Sequence, residues 1–473
     1  MTDYQEFLGK KHLSVKETGF DVSPNDIHPM LFDWQNEIVR WACRIGKAAL
    51  FEECGLGKTL QQIEWARLVV AHLHRIGAKT CKSLIVAPLA VAHQTIAEGV
   101  KINVKVVYIR HQDEVTTAQD IYITNYDMLK EFDGSMWGAV ILDESSILKA
   151  YTGATKRMIL EMFEHTPFKL ACTATPAPND HLELGNHAQF LNVMQSNEMI
   201  QRWFINDTMA AGSYRLKHHA EDDYWRWVTT WAVCISTPGD LGYSNKGFDL
   251  PPLNIESVIV AVDHTRAWES GQLVLTEALS ATGMWKEKRA TMADRCDRAG
   301  EIIDGSEEPW IIWCDTNDEA DYLRGLFPQA VEVRGSDTIL QKETKLDAFT
   351  TGLAQIIITK SDIAGFGLNW QHCHNQAFVG VTYSFEKTYQ ALRRSWRFGQ
   401  RYPVTAYLIY AESEGNIRKT LEVKQTAHKT MQKAMNKAMK NQGLGKARDL
   451  RAVQDYHASQ TMMIPNWVRS YDD

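Results

Sequence analysis

Apolar positions along this chain fall into two patterns. Short, nearly continuous apolar runs alternate with stretches whose apolar residues recur at three- and four-residue intervals. A run too short for a helix, and apolar on both of its alternating faces, predicts a strand covered on both sides. Its alternation with helical periodicity predicts parallel α/β sheets. In the first part of the chain the runs are "AALF" (48–51), "SLIVAP" (83–88), "IYITN" (121–125), "AVILDE" (139–144) and "FKLACTAT" (168–175). A second series follows, "PWIIWC" (309–314), "AVEV" (330–333), "QIIITK" (355–360), "QAFVGV" (376–381) and "VTAYLIY" (404–410). Two separate α/β units are the economical reading, and 473 residues are enough for both.

The sequence between the two series is of another kind. Trp203, Trp225, Trp227 and Trp231 crowd together ahead of a turn-rich stretch, "STPGDLGYSNKGFDLPPL". This predicts a small insertion with a satellite aromatic core in preference to a base-stacking platform. After the second series, residues 415–453 carry ten Lys/Arg against two acids, with Lys429, Lys433 and Lys437 at helical spacing and Met431, Met435 and Met439 on an i, i+4 stripe. A helix is expected there, its methionines docked on the second unit and its basic face turned toward nucleic acid. The boundaries expected are a first lobe over 1–200, a Trp-rich insertion over 201–290, a second lobe over 291–425 and a basic helical tail over 426–473.

Composition narrows the class. A hydrophobic fraction of 44% is that of a globular chain. No uncharged apolar run reaches about 18 residues, and "MTDYQEFLGKKHLSVKE" is too polar for a signal peptide, so a soluble, cytoplasmic protein without membrane contact is expected. Eight cysteines are scattered without a C-x-x-C pair, which speaks against a zinc ribbon or a disulfide framework. The string "HCH" (372–374) reads as packing, because adjacent residues of an extended chain point to opposite faces. A net charge of −7 does not mark a nucleic-acid binder, although a local basic groove is compatible with it.

Three motifs carry chemistry. The first run leads into "FEECGLGKTLQQIEWARLV", a loop with Gly55, Gly57, Lys58 and Thr59 that opens into an amphipathic helix. Glycines admit phosphate oxygens close to backbone N–H groups, the helix N-terminus adds positive potential, Lys58 reaches β- and γ-phosphates and Thr59 serves Mg²⁺. The full G-x-x-x-x-G-K-T spacing is absent, and the loop reads G-x-G-K-T. In "VILDESSILKA" (140–150) an apolar strand ends in two adjacent carboxylates, Asp143 and Glu144. Beside a phosphate loop the first would orient Mg²⁺ and the second would activate water, with Mg²⁺ and Lys58 offsetting the doubled negative charge. In "QALRRSWRFGQ" (390–400), Arg394 and Arg397 are spaced i, i+3, so that one helical face presents two guanidiniums to a transferring phosphoryl group.

Together these motifs resemble a superfamily-two helicase ATPase, closest to Swi/Snf-type DNA translocases and to compact bacteriophage-encoded DEAD/DEAH-like helicases. In the family's order, "LFDWQNEIVRWA" (31–42) resembles the Q motif, "GLGKT" motif I, "VAPLAV" (86–91) motif Ia and "ITNYDML" (123–129) motif Ib. "DESS" resembles motif II, "TATPAPN" (173–179) motif III, "TKSDIAGFGLNWQ" (359–371) motif V and "QALRRSWRFGQ" motif VI. The resemblance implies two RecA-like parallel-sheet lobes with ATP and Mg²⁺ between them. It implies that Gln35 reads adenine, that Gly365 meets the nucleotide, and that Thr173, Thr175 and Gln390 couple hydrolysis to lobe movement. Thr124, Asn125, Gly367 and Asn369 are the phosphate contacts it implies for DNA, bound through its backbone and without regard to sequence. The expected agent is an ATP-dependent DNA helicase/translocase that hydrolyses ATP to move along DNA, a monomer or one recruited by a replication, recombination or defence-related partner. Two alternatives stand beside it, an RNA-dependent ATPase of DEAD-box type and a non-catalytic nucleic-acid clamp. Against the family pattern, Ser145 and Ser146 replace Ala-His or Ala-Asp, Arg393 stands where Asp is frequent, and Trp396 stands where His is usual.

Overall fold

The computed structural model describes residues 16–149, 153–206, 214–261, 287–364 and 368–444. The first sheet takes its strands from β1 (Lys47–Glu52), β2 (Lys82–Ala87), β3 (Val107–Tyr108), β4 (Ile121–Asn125), β5 (Trp137–Asp143) and β6 (Phe168–Thr173). Beyond them lie a small antiparallel pair, β7 (Phe204–Asn206) and β8 (Tyr214–Leu216), and then β9 (Ala232–Ile235). The second sheet takes β10 (Leu253–Val260), β11 (Trp310–Cys314), β12 (Val331–Glu332), β13 (Ile356–Lys360), β14 (Asn375–Phe378) and β15 (Val404–Ala411).

Among the described residues the first sheet has seven strands in the order β3-β4-β2-β5-β6-β1-β9 and the second has six in the order β10-β15-β14-β11-β13-β12. Every pairing in both is parallel. These are the two parallel-sheet lobes expected. Buried apolar residues cover both faces of each sheet, which is why β5 and β6 are buried along their whole length. Because the strands are parallel, their carboxyl ends open on one edge, where ligand crevices of such sheets lie. β6 separates β1 from β5, so the ends of the two motif-bearing strands stand roughly 10 Å apart. The strand between them ends at Thr173.

Two expectations about the middle and the end of the chain are corrected. The Trp-rich stretch is not a separate insertion: β9 pairs with β1, extending the first sheet. The helix Glu221–Val228 buries Trp225 and Trp227 in the same core as Trp203, Trp231 and one face of that sheet. Leu253–Val260, assigned to the same insertion, instead forms the edge strand of the second sheet beside β15. The tail is one helix, Gly415–Gln442, which runs through the expected boundary at 425/426. Ile417 and Leu421 root it in the second lobe, whereas Met431, Met435 and Met439 are buried in the cores of the first. Each buried methionine contributes about 2 kcal/mol relative to exposure, so the stripe docks the helix firmly, though on the opposite lobe from the one expected. Asn436 confirms the docking side, donating to Ser236 Oγ at 2.8 Å and Asp240 Oδ2 at 3.1 Å.

Candidate nucleotide site between the lobes

The glycine loop follows β1 and ends at Gly57, the N-cap of the helix Lys58–Arg75. Gly55 and Gly57 have φ of +89° and +76°, a region that side chains resist. Space gives a second reason for glycine. A Cβ at Gly55 would stand 2.9 Å from Phe398 N in the second lobe, and one at Gly57 would stand 2.5 Å from Gln35 Nε2. Lys58 Nζ folds back onto the carbonyls of Glu52 and Glu53, at 2.7 and 3.2 Å.

The strand β5 delivers the acid pair. Asp143 continues its extended path and accepts from Gln62 Nε2 at 2.7 Å, one helical turn beyond Lys58. Glu144 departs from it with φ of +54°, a left-handed conformation uncommon in a glutamate. That turn resolves the conflict between strand alternation and two neighbouring acids that line one cleft. Thr173 Oγ1 donates to Glu144 Oε2 at 3.3 Å. Burial first, then the Asp143 charge, pushes Glu144 up to about 7, opposed by Lys58 and Arg394. Asp143 is also raised, chiefly by burial.

One cleft is lined by Gly55, Gly57, Lys58 and Thr59, by Asp143 and Glu144, and by Arg394 and Arg397 from the second lobe. The arginines do not share a helical face. The helix Phe385–Leu392 ends before them, with Arg393 as its cap, and the chain turns through 393–399. Gln400 fixes that turn by donating to the carbonyls of Gln371, Cys373 and Ser395. Both guanidiniums still converge, donating to the Leu368 carbonyl at 3.1 and 3.0 Å. Burial lowers Arg394, and burial with the neighbouring Arg394 charge takes Arg397 down to about 10. Arg397 Nε is buried without a partner among the described residues. A cleft that holds raised acids and lowered arginines is under-compensated on both sides.

The remaining expected residues divide. Gln35 is buried and spends both ends of its amide on protein, donating to the Leu56 carbonyl and accepting from Phe32 N. Its visible work is to support the glycine loop. Thr124 and Asn125 are buried, and Asn125 caps the following turn through Asp127 N and Met128 N while donating to Tyr108 OH. Asn369 is exposed, and Gly365 and Gly367 lie outside the described residues. Thr175 Oγ1 donates to Glu386 Oε1 at 3.5 Å across the lobe boundary, and Lys149 pairs with the same carboxylate. Gln390 is buried, and neither of its amide atoms has a partner among the described residues.

Sequence reasoning missed several contributors. Ser145 bonds His187 Nε2 at 3.1 Å, and burial pushes that imidazole down to about 4, which keeps it neutral near pH 7. Glu386, Lys149 and Gln62 carried no local signal. The "HCH" residues pack: His374 meets Glu308 at 2.8 Å, and the His372 ring lies 4.9 Å from that of Phe349. Among the described residues no group of three or more His, Cys, Asp or Glu is placed to hold a metal on its own. Thr59 and Asp143 suit Mg²⁺, which keeps waters and shares phosphate oxygens when one or two protein ligands hold it.

Parts of the chain are similar to known proteins. The model of the SNF2-related domain matches residues 34–228. The chain is similar to the SWI2/SNF2 ATPase core of Sulfolobus solfataricus in complex with dsDNA, at 17% identity and a TM-score of 0.41, over 90% of this chain and 98% of that one. It is similar also to the core domain of that protein without DNA, at 16% identity and a TM-score of 0.40, over 89% and 93%. No curated protein matches the sequence. Residues 34–228 are thus similar to the SNF2-related domain.

Proposed function

We propose that this protein hydrolyses ATP with Mg²⁺ and uses the cycle to move along DNA. One observation supports the reading above all: Lys58, Thr59, Asp143 and Glu144 of the first lobe and Arg394 and Arg397 of the second line a single cleft. Lys58 and the loop amides hold the triphosphate. Thr59 and Asp143 are the groups that would hold the cation, which supplies charge neutralisation at the phosphates. Glu144, pushed up to about 7 by burial and Asp143, has the basicity to take a proton from water near neutral pH. Arg394 and Arg397 stabilise charge developing on the γ-phosphoryl group.

Coupling to movement follows from where the groups come from. Thr173 touches the water-activating Glu144, and Thr175, two residues on, touches Glu386 of the second lobe. Loss of the γ-phosphate therefore alters contacts on both sides of the lobe boundary. DNA is preferred to RNA as the track because "DESS" and "GFGLNWQ" resemble the DNA-translocating group. Binding through phosphates makes it independent of sequence and sensitive to salt. ATP turnover measured with duplex DNA, single-stranded DNA, RNA and no nucleic acid tests the proposal. Stimulation by duplex DNA is expected, and turnover stimulated by RNA alone, or none at all, would refute it.

A further inference from the structure

Two acids precede the glycine loop, and neither belongs to the phosphate-binding set. Glu52 turns into the first lobe and accepts from Gln61 Nε2 at 2.8 Å. Glu53 turns toward the second. Its Oε1 lies 3.2 Å from Arg393 NH2, and its Oε2 accepts from Tyr389 OH and, at 2.9 Å, from Gln432 Nε2. Arg393 also donates to the Cys54 carbonyl at 2.8 Å, a residue 339 positions away, and its guanidinium lies over the Trp396 ring at 4.7 Å. His428, one turn before Gln432, packs its ring 5.3 Å from that of Tyr389. Three segments meet at Glu53: the glycine loop, the arginine-bearing turn and the C-terminal helix.

The Arg393 and Glu53 side chains are only 2% and 11% exposed, and a buried ion pair behaves as an all-or-none contact because losing one partner strands the other charge. Burial pushes Glu53 up, but Arg393, Tyr389, Cys54 N–H and Gln432 outweigh it and hold the carboxylate at about 2. Arg393 immediately precedes Arg394, so anchoring one on the loop fixes where the other enters the cleft. Gly55, with Phe398 N close to where a Cβ would stand, allows that approach.

We infer that Glu53, Arg393, Tyr389 and Gln432 form a latch that docks the glycine loop onto the second lobe. Arg393 and Gln432 are its positioning residues, the first setting the register of Arg394 and the second tying the loop to the C-terminal helix. The consequence for catalysis rests on the ATPase reading, whereas the latch itself does not.

Hydrogen exchange on the full chain without nucleotide tests the latch directly. Arg393→Gln and Gln432→Glu, the latter placing a like charge opposite Glu53, are each expected to speed exchange in 53–58 and 428–436 by about tenfold or more. Gln432→Glu sits on a half-buried helix face and carries the test if Arg393→Gln does not fold. In kinetics, Arg393→Gln and Glu53→Gln each lower kcat by about tenfold while KM for ATP moves less than about threefold, and the double variant is no worse than either single one. Unchanged loop exchange in both variants, or losses that multiply in the double, would overturn the latch. A wild-type protein that turns over no ATP, but whose loop exchange responds as expected, would remove the ATPase reading and leave the latch standing.

Discussion

Arg393 and Arg394 are neighbours in one turn of chain, and the structure treats them oppositely. Arg393 is paired with Glu53 and the Cys54 carbonyl, and its charge helps hold Glu53 at about 2. Among the described residues the Arg394 side chain donates to the carbonyls of Gln390 and Leu368 and to no carboxylate, and it faces a cleft where Glu144 stands near 7. The same residue type thus serves as fastener at one position and as an incompletely matched charge at the next. Stability comes from matched charges. Chemistry needs charges left short of a partner that the substrate then supplies.

Removing Glu144 breaks that contrast from the side of the cleft. Glu144→Gln should lower ATP turnover by about 10²–10⁴-fold while retaining nucleotide binding, checked by turnover alongside a fluorescent-nucleotide titration. Lys58→Ala should weaken nucleotide affinity by about 10–100-fold and lower turnover as well, in the same two assays.

The unmatched acids also leave a signature in stability. Glu144 is raised from 4.5 to about 7, and Glu52 likewise, mainly by burial. Between those values the folded chain holds protons that the unfolded chain releases, so their contribution to stability is full below about pH 4.5 and falls as pH rises through 7. Without nucleotide, Glu144→Gln should therefore stabilise the protein by about 1–3 kcal/mol at pH 8 and by little at pH 4.5, read from urea midpoints. Trp396→His is the mildest change. It removes the donor to the Pro251 carbonyl and the ring beneath Arg393, and should cost about 1 kcal/mol with turnover kept within about threefold.

What the sequence disclosed follows from the range of each signal. Strands such as 121–125 announce themselves because apolar residues on both faces are a local pattern, and the loop and the acid pair lie within single short segments. β9 hid among tryptophans, since "AVCI" is too short to outweigh an aromatic context that suggested another body. The edge strand β10 is largely exposed and so lacks the apolar continuity that marks its neighbours. The methionine stripe showed that a helix face is buried but not against what, and it was placed on the wrong lobe. Asn125 reads as a ligand contact in a family frame, yet Asn before a turn is equally a cap. Pairings such as Glu53 with Arg393, or Ser145 with His187, have no periodicity to betray them. Of the four departures from the family pattern, Ser145, Arg393 and Trp396 have side-chain partners in the structure, while nothing in it explains Ser146.

The most direct measurement sets the two arginines against each other in duplex-DNA-stimulated ATP turnover. Arg394→Ala should reduce kcat by about 10³-fold or more with nucleotide affinity held within about threefold, against about tenfold for Arg393→Gln. Near-normal turnover in Arg394→Ala would contradict a shared nucleotide site between the acid pair and the second lobe.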